Sequence, residues 1–180
     1  MADQVRLPTP GRDHGNWGDM LNAFLSVAHN DDGTLKTVSG IGDYIVVAAK
    51  SRVVPTNIGM MPALFDTVAT SRGQSLSWSP KQPEAIASQA GGVYAITLTV
   101  DWGDPSSNPS LRQVRISIND QLYTEEQRTS APNSTTKQSL TIITTVLSAQ
   151  TIAVQLEQRS GQDLTPNVQL LVTRIASIDG

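Results

Sequence analysis

The sequence predicts an all-β protein organised as an antiparallel sandwich. The segment Gly92–Trp102 alternates strictly, with Tyr94 and Leu98 on one face and Thr97 on the other, and this period of two is typical of a β-strand. Leu111–Asp120 repeats the alternation. Further apolar segments follow at intervals of roughly 8–12 residues with no helical segment between them, which is typical of two packed sheets.

Residues 1–38 differ in character from the rest and are predicted to contain one short N-terminal helix, at about residues 17–29. Apolar residues recur there at three- and four-residue spacing, Asn16 stands where an N-cap belongs, and Asn30–Gly33 supplies turn chemistry at the end. A helix of this length is marginal alone in water. We therefore expect an anchoring segment that packs on a neighbouring chain or on another protein through Trp17, Leu21, Phe24 and Leu25.

Residues 39–61 are predicted to form a stem or connector with one extended strand, Tyr44–Ala49. This run is apolar on both of its faces, and such a strand must be covered on both sides. In a single small domain it would be a central strand. In a symmetric oligomer it could instead lie along the symmetry axis.

Residues 62–180 are predicted to form the β head. Four strands are expected after Leu111–Asp120, and three shorter ones are expected before Gly92. In chain order these are Ala63–Ala69, Leu76–Ser79, Ala85–Ser88, Gln121–Thr129, Ser139–Leu147, Thr151–Arg159 and Val168–Ala176.

Several of these strands carry apolar side chains on both faces, although one face is enough to fill the core. A contiguous apolar surface left exposed usually marks an interface. The alternative is that a third layer or the N-terminal segment covers it. The candidate self-association residues are Tyr44, Val46, Ile143, Leu147, Leu171 and Ile175.

The loops between antiparallel strands must alternate between the two ends of the sandwich. The long loops Gly103–Ser110, Ser130–Lys137 and Ser160–Asn167 then share one end, and the tight turns share the other. Binding residues are often carried on loops held by a rigid scaffold, although any one of these residues could simply be solvated. The candidate ligand-binding residues are Trp102 (if its ring is exposed for stacking on a sugar), Asp104, Ser106, Asn108, Asn133, Arg159, Gln162 and Asp163.

Composition argues against several partners. The net charge of −3 and the pI near 5.2 provide no basic field for nucleic acid or an anionic membrane. The longest apolar run, Tyr44–Ala49, is far shorter than the ~20 residues of a membrane span, and the first fifteen residues contain no apolar run typical of a secretion signal. We therefore expect neither nucleic-acid binding nor membrane insertion.

Catalytic chemistry is also not expected. Cysteine is absent, and His14 and His29 do not stand in a metal-binding spacing, so no metal site and no cofactor are predicted. The neighbouring carboxylates Asp101 with Asp104 and Glu125 with Glu126 are the local candidates for a glycosidase pair. A small convex head offers little cleft for them, so the prediction is that the protein is not an enzyme.

Two parts of the sequence resemble known families. The stretch from Pro8 to Lys36, with its proline-glycine lead, Trp-Gly pair and His-Asn-Asp-Asp-Gly-Thr-Leu-Lys ending, resembles a segment of bacteriophage tail-fibre and receptor-binding proteins and of related contractile injection particles. The second half, with Gly92-Val93-Tyr94 opening a long strand and the strand order up to Ile175, resembles the jelly-roll heads of tumour necrosis factor and complement. These resemblances imply a homotrimer with a particle-attached base.

The resulting functional prediction is a virion structural protein, a tail fibre or receptor-binding protein located in the virion and extracellular after release. Its N-terminal segment would bind a phage tail or baseplate protein, and the loops of its trimeric head would bind a glycan of the host cell surface. Asn, Gln, Ser and Thr side chains suit that role because they supply directional hydrogen bonds. The alternatives are a non-binding structural component of the tail or baseplate, or a polysaccharide-degrading enzyme.

Overall fold

The computed structural model describes residues 42–50, 52–103 and 109–178. The helix predicted near residues 17–29 lies outside these ranges. Among the described residues, no helix has the length and apolar character required to cross a membrane. The described chain forms the strands β1 Tyr44–Ala49, β2 Met61–Pro62, β3 Thr67–Arg72, β4 Leu76–Ser79, β5 Gln82–Ser88, β6 Gly92–Asp101, β7 Leu111–Ile118, β8 Gln121–Thr129, β9 Lys137–Val146, β10 Thr151–Gln158 and β11 Asn167–Ser177.

The strands form two antiparallel sheets. The first sheet has the order β3-β1-β11-β6-β9, and the second has the order β4-β5-β10-β7-β8 with β2 beside β10. The chain passes from the first sheet to the second between β6 and β7, returns between β8 and β9, and crosses twice more through β10 and β11. This winding is a jelly roll, so the predicted all-β antiparallel jelly-roll sandwich is confirmed.

One apolar core fills the space between the sheets. The alternation of β6 turns Tyr94, Ile96 and Leu98 inward, and all three are fully buried. From the second sheet, Ile116 and Val154 are equally buried in the same cluster. Each such side chain stabilises the fold by about 1.5–3 kcal/mol relative to an exposed one.

The predicted boundary between a connector and a head at residue 62 needs correction. The strand Tyr44–Ala49 lies inside the first sheet, paired with β11 on one edge and with β3 on the other. Its inward side chains Ile45 and Val47 are buried in the core. The physical reason is that the inward side chains of this strand complete the core and both of its edges find partner strands, which a separate connector would lack.

The two ends of the sandwich differ in character. The stems of the three long loops lie together at one end, which we call the loop end; there the Trp102 amide donates to the Thr136 carbonyl and the Ser130 amide to the Ser110 carbonyl. The opposite turn end holds the tight turn at Asn119 and Asp120, whose φ values of 51° and 64° suit a two-residue hairpin. Both the start of β1 and the end of β11 also lie at the turn end.

A polar cluster fastens the chain where it enters β1. The Asp43 carboxylate accepts hydrogen bonds from the Ser75 hydroxyl at 2.7 Å, the Ser75 amide at 3.0 Å and the Gln74 amide at 3.1 Å. The Ser75 hydroxyl first, then the two amides and the charge of Arg174, lower the pKa of Asp43, although burial opposes them. Gly73 has a φ of +80°, and a Cβ there would overlap the Asp43 carboxylate, so this site requires glycine.

We predict that Asp43→Asn lowers stability by about 1–3 kcal/mol at neutral pH, because the charged acceptor of three hydrogen bonds is lost. The lowered pKa means that the carboxylate stabilises the fold above its ordinary value of 3.8 and that this contribution is lost as the pH falls through the folded-state pKa. Thermal unfolding from pH 7 to pH 2.5 measures both effects, and the gap between wild type and variant should close at the acid end.

The matched control is Asp120→Asn, which removes the same charge from an exposed turn at the same end of the domain. This variant should unfold within about 0.5 kcal/mol of wild type, as is usual for surface positions. Equal losses in the two variants would contradict the role assigned to Asp43.

Candidate functional site

Four of the predicted ligand-binding residues lie exposed at the loop end. Asn133 occupies the tip of the loop between β8 and β9 with a φ of 56°, and Arg159, Gln162 and Asp163 lie in the loop between β10 and β11. The structure thus brings two loops with polar side chains to one end. Three further candidates, Asp104, Ser106 and Asn108, lie outside the described residues.

Trp102 does not have the exposure that sugar stacking requires. Its side chain is 1% exposed and belongs to the core cluster. The indole Nε1 donates to Gln138 Oε1 at 2.7 Å, and the Arg112 guanidinium lies 5.6 Å from the ring centroid. The role predicted for Trp102 is therefore corrected. The alternation of β6 continues one residue past the strand and turns this ring into the core, where its hydrogen bond to Gln138 joins β6 to β9 next to the loops.

The loop between β10 and β11 is held by a fully buried glutamine. Gln158 Nε2 donates to the carbonyls of Val54 at 3.0 Å and Gln162 at 2.7 Å. Gln158 Oε1 accepts from the Ser160 amide at 2.8 Å and from the Ser160 hydroxyl at 2.6 Å. One buried side chain therefore makes four hydrogen bonds, three of which order the loop carrying Gln162 and Asp163 and one of which binds the segment between β1 and β2.

A second buried polar group joins the stems of the other two loops. The Ser110 and Ser130 hydroxyls lie 2.9 Å apart, and Arg112 Nη1 donates to Ser110 Oγ at 2.8 Å. Burial lowers the pKa of the Arg112 guanidinium. Gln138 adds a bond from Nε2 to the Glu126 carbonyl at 3.2 Å. These hydrogen bonds tie the loop stems together, while Arg112 Nε is buried without a hydrogen-bond partner among the described residues.

Sequence reasoning missed these supporting residues, but the pattern contained a signal for them. In β10 the inward series Ile152, Val154 and Leu156 ends in Gln158. Arg112 and Gln138 likewise occupy inward positions at the loop ends of β7 and β9. When a polar residue occupies a core-facing position at the end of a strand that leads into a long loop, its side chain is expected to be buried and to bind the backbone of that loop.

The outward surface of the first sheet contains all six predicted self-association residues. We call the outward side chains of β1, β11, β6 and β9, together with Leu147 directly after β9, the open face. Register places Val46, Leu171, Thr97 and Thr141 in one row across the four strands. The adjacent row is Tyr44, Thr173, Ala95 and Ile143.

The open face is apolar or uncharged over most of its area. Ile143 is 67% exposed, Leu147 53%, Ile175 42% and Leu171 36%. Two of its threonines, Thr97 and Thr141, form a side-chain hydrogen bond at 3.1 Å. Among the described residues of these four strands, its charged members are Asp101 and Lys137, which form a 2.9 Å ion pair at the loop end.

Of the four carboxylates considered for catalysis, the three that lie within the described residues are each paired with a cation. Glu125 Oε2 accepts from Arg115 at 2.6 Å, and Glu126 pairs with Arg128 at 2.7 Å. The bond from Lys137, then the Gly103 amide, lowers the pKa of Asp101, whereas a glycosidase acid needs a raised one. No cluster of three potential metal ligands occurs within the described ranges.

Solved structures with low sequence identity share this fold. The globular domain of the zebrafish complement 1qA protein aligns with a TM-score of 0.55 and 10% identity, over 75% of this chain and 98% of that one. Eiger TNF from S. frugiperda aligns with a TM-score of 0.54 and 9% identity, over 77% and 96%. The PRD1 vertex protein P5 aligns with a TM-score of 0.50 and 18% identity, over 76% and 99%.

These likenesses establish the class: the described domain is a jelly roll of the kind found in tumour necrosis factor and complement heads. No protein-family model and no curated protein matches the sequence. The resemblance of Pro8–Lys36 to tail-fibre proteins lies outside the described residues and remains a prediction.

We predict that Trp102→Phe destabilises the protein by about 1–3 kcal/mol, because Gln138 Oε1 loses its buried donor. Trp78→Phe is the matched control, since the half-buried Trp78 indole makes one long bond, 3.4 Å to the Pro83 carbonyl. In chemical denaturation, the free energy of unfolding of Trp102→Phe should be well below that of Trp78→Phe. The reverse order would contradict the supporting role of Trp102.

Proposed function

We propose that the described domain is the head of a homotrimeric receptor-binding protein of a phage or phage-like particle, and that its loop end binds a glycan on the host cell surface. The open face is the observation that carries the proposal. It is a broad apolar surface on a domain whose two chain ends emerge opposite its polar loops.

The open face supports self-association because a monomer would leave it in water. Large side chains such as Ile143 and Leu171 gain roughly 25 cal/mol for each Å² of apolar surface that a second copy covers. Ala95 and the threonines between these large side chains are small and uncharged. A second copy could therefore pack closely against this face at a small cost in desolvation. The number three comes from the resemblance to tumour necrosis factor and complement heads.

The polarity of the domain supports attachment at the turn end. The chain enters β1 at that end, so a particle bound through residues 1–38 would hold the head with its loops directed outward. Trp17, Leu21, Phe24 and Leu25 are the proposed contacts with a tail or baseplate protein. The PRD1 vertex protein P5 shares the fold, and its name places it on a particle, which is consistent with the attachment proposed for this chain.

The loop end supports glycan binding through exposed polar side chains on rigid stems. Asn133, Gln162 and Asp163 offer donors and acceptors, and the buried bonds of Gln158 order the loop of the latter two. A preordered site loses less conformational entropy when it binds. Three linked heads can gain about 10²–10⁴ in avidity over a single weak site.

We predict that Ile143→Glu with Leu171→Glu converts the trimer to monomers, because each trimer would have to bury six carboxylates. Light scattering coupled to gel filtration measures the mass, and circular dichroism checks the fold. Ile58→Glu is the control, since Ile58 is similarly exposed at 61% but lies in the segment between β1 and β2. A trimer that persists in the double variant, or an Ile58→Glu variant that dissociates equally, would contradict the proposed interface.

We predict that Asn133→Gly with Gln162→Ala weakens binding to an array of bacterial surface glycans by at least about tenfold. Both side chains are exposed and make no described hydrogen bonds, and glycine tolerates the positive φ at residue 133. The control, Asn119→Gly with Gln121→Ala, makes the same changes at the turn end, where the φ of Asn119 is 51°.

The outcomes separate the candidate functions. Binding that is lost in the loop-end variant and retained in the control supports the proposal. A trimer that binds no glycan on the array and no bacterial cell would favour a purely structural particle component. Release of reducing sugar from a bound polysaccharide would favour an enzyme.

A further inference from the structure

A cavity of about 340 Å³ opens at the loop end between the two sheets. It lies where the chain crosses from β1 to β2, with Ala49 and Val168 of the first sheet on one side and Leu156 of the second on the other. This volume is at the small end of the range for small-molecule sites. The cavity is separate from the open face and from the exposed loop residues considered above.

The walls of the cavity are apolar. Ala49, Ala63, Leu156 and Val168 are buried, and the other lining side chains are also apolar except for one arginine, Arg52. Water in such a space would find few hydrogen-bond partners. The cavity therefore suits the apolar part of a ligand.

The mouth of the cavity carries positive charge. Arg52 is exposed and forms no ion pair with another described residue. It also lines a shallow hollow beside the mouth with Lys50 and Asp66, so two cations there face one carboxylate. The Asp66 carboxylate already accepts the Lys50 amide at 3.0 Å. An arginine fork with no ion-pair partner among the described residues is well suited to a carboxylate on a ligand.

The segment across the mouth is fastened, so the cavity is preformed. The Val54 amide donates to the Leu164 carbonyl at 2.7 Å, and the Leu164 amide returns a bond to Val54 at 3.1 Å. Gln158 Nε2 holds the same Val54 carbonyl, and the Ala63 amide bonds to Val154 at 2.8 Å. These bonds keep the crossing segment from collapsing onto the sheets.

From these features we infer that the cavity binds a small apolar molecule with one anionic group, of the chemistry of a medium-chain carboxylate. The chain of the ligand occupies the space between Leu156 and Val168, and its carboxylate meets Arg52 at the mouth. This site is independent of the proposed trimer and of glycan binding, because it uses no residue of the open face and none of the exposed loop side chains assigned to glycan.

Calorimetric titration of decanoate, below its micelle concentration, into the full chain tests the inference. We expect saturable binding of one decanoate per chain, and at least about tenfold weaker binding to Arg52→Gln, since the charged hydrogen bonds are lost. Decanol, with the same chain and no charge, should bind wild type and Arg52→Gln equally weakly. Lys81→Gln, which removes one exposed cation at the turn between β4 and β5, should leave decanoate affinity unchanged.

A second variant tests the cavity itself. Ala63→Leu adds volume at a buried wall and should abolish binding of both decanoate and decanol while the oligomer mass stays unchanged. If that variant does not fold, the difference in decanoate affinity between Arg52→Gln and Lys81→Gln still tests the inference. Absence of saturable decanoate binding, equal affinities in those two variants, or equal affinities of wild type for decanoate and decanol would overturn the inference. None of these results bears on the trimer or on glycan binding.

Discussion

The structure depends on one constraint: the first sheet is apolar on both sides. Its inner side, with Val47, Leu98 and Leu170, fills the core against the second sheet. Its outer side has Ile143 and Leu171 in rows otherwise composed of threonine, alanine and other uncharged residues. A two-layer sandwich can cover only one side of each sheet, so the fold that satisfies the core also creates a surface suited to another copy of itself.

The second sheet solves a different problem. Its strands β7 and β8 carry ion pairs such as Arg115 with Glu125, which suit a face left in solvent, and Leu122 and Tyr123 of β8 are exposed beside them. At the loop end, Arg112, Gln138 and Gln158 are buried and hydrogen-bonded to loop backbones and to neighbouring side chains. The domain thus combines one apolar outer face, one outer face that carries ion pairs, and one end at which buried polar side chains fasten the loops.

Strand periodicity predicted most of this fold because alternation reports directly on burial. The segments Gly92–Trp102 and Gln121–Thr129 match β6 and β8 within one residue. The connector boundary at residue 62 failed because Tyr44–Ala49 pairs with β3 and β11, and the local pattern of a strand does not identify partners that are distant in sequence. Trp102 was predicted as a ligand contact from its position beside a loop, although its parity points inward; its partner Gln138 lies 36 residues away. The cavity near Arg52 was invisible for the same reason, since its walls come from four separate strands and from the segments between them.

Sedimentation of the unmodified full chain over a wide dilution series tests the central claim most directly. If the open face is an interface between copies, the mass at micromolar concentration is three times the 19.3 kDa of one chain. On dilution the trimer should dissociate in one cooperative step, either to folded monomers or to unfolded chains. A stable, folded monomer at every concentration would contradict the claim. The exposure of Ile143, Leu147 and Ile175 to water would then not drive association.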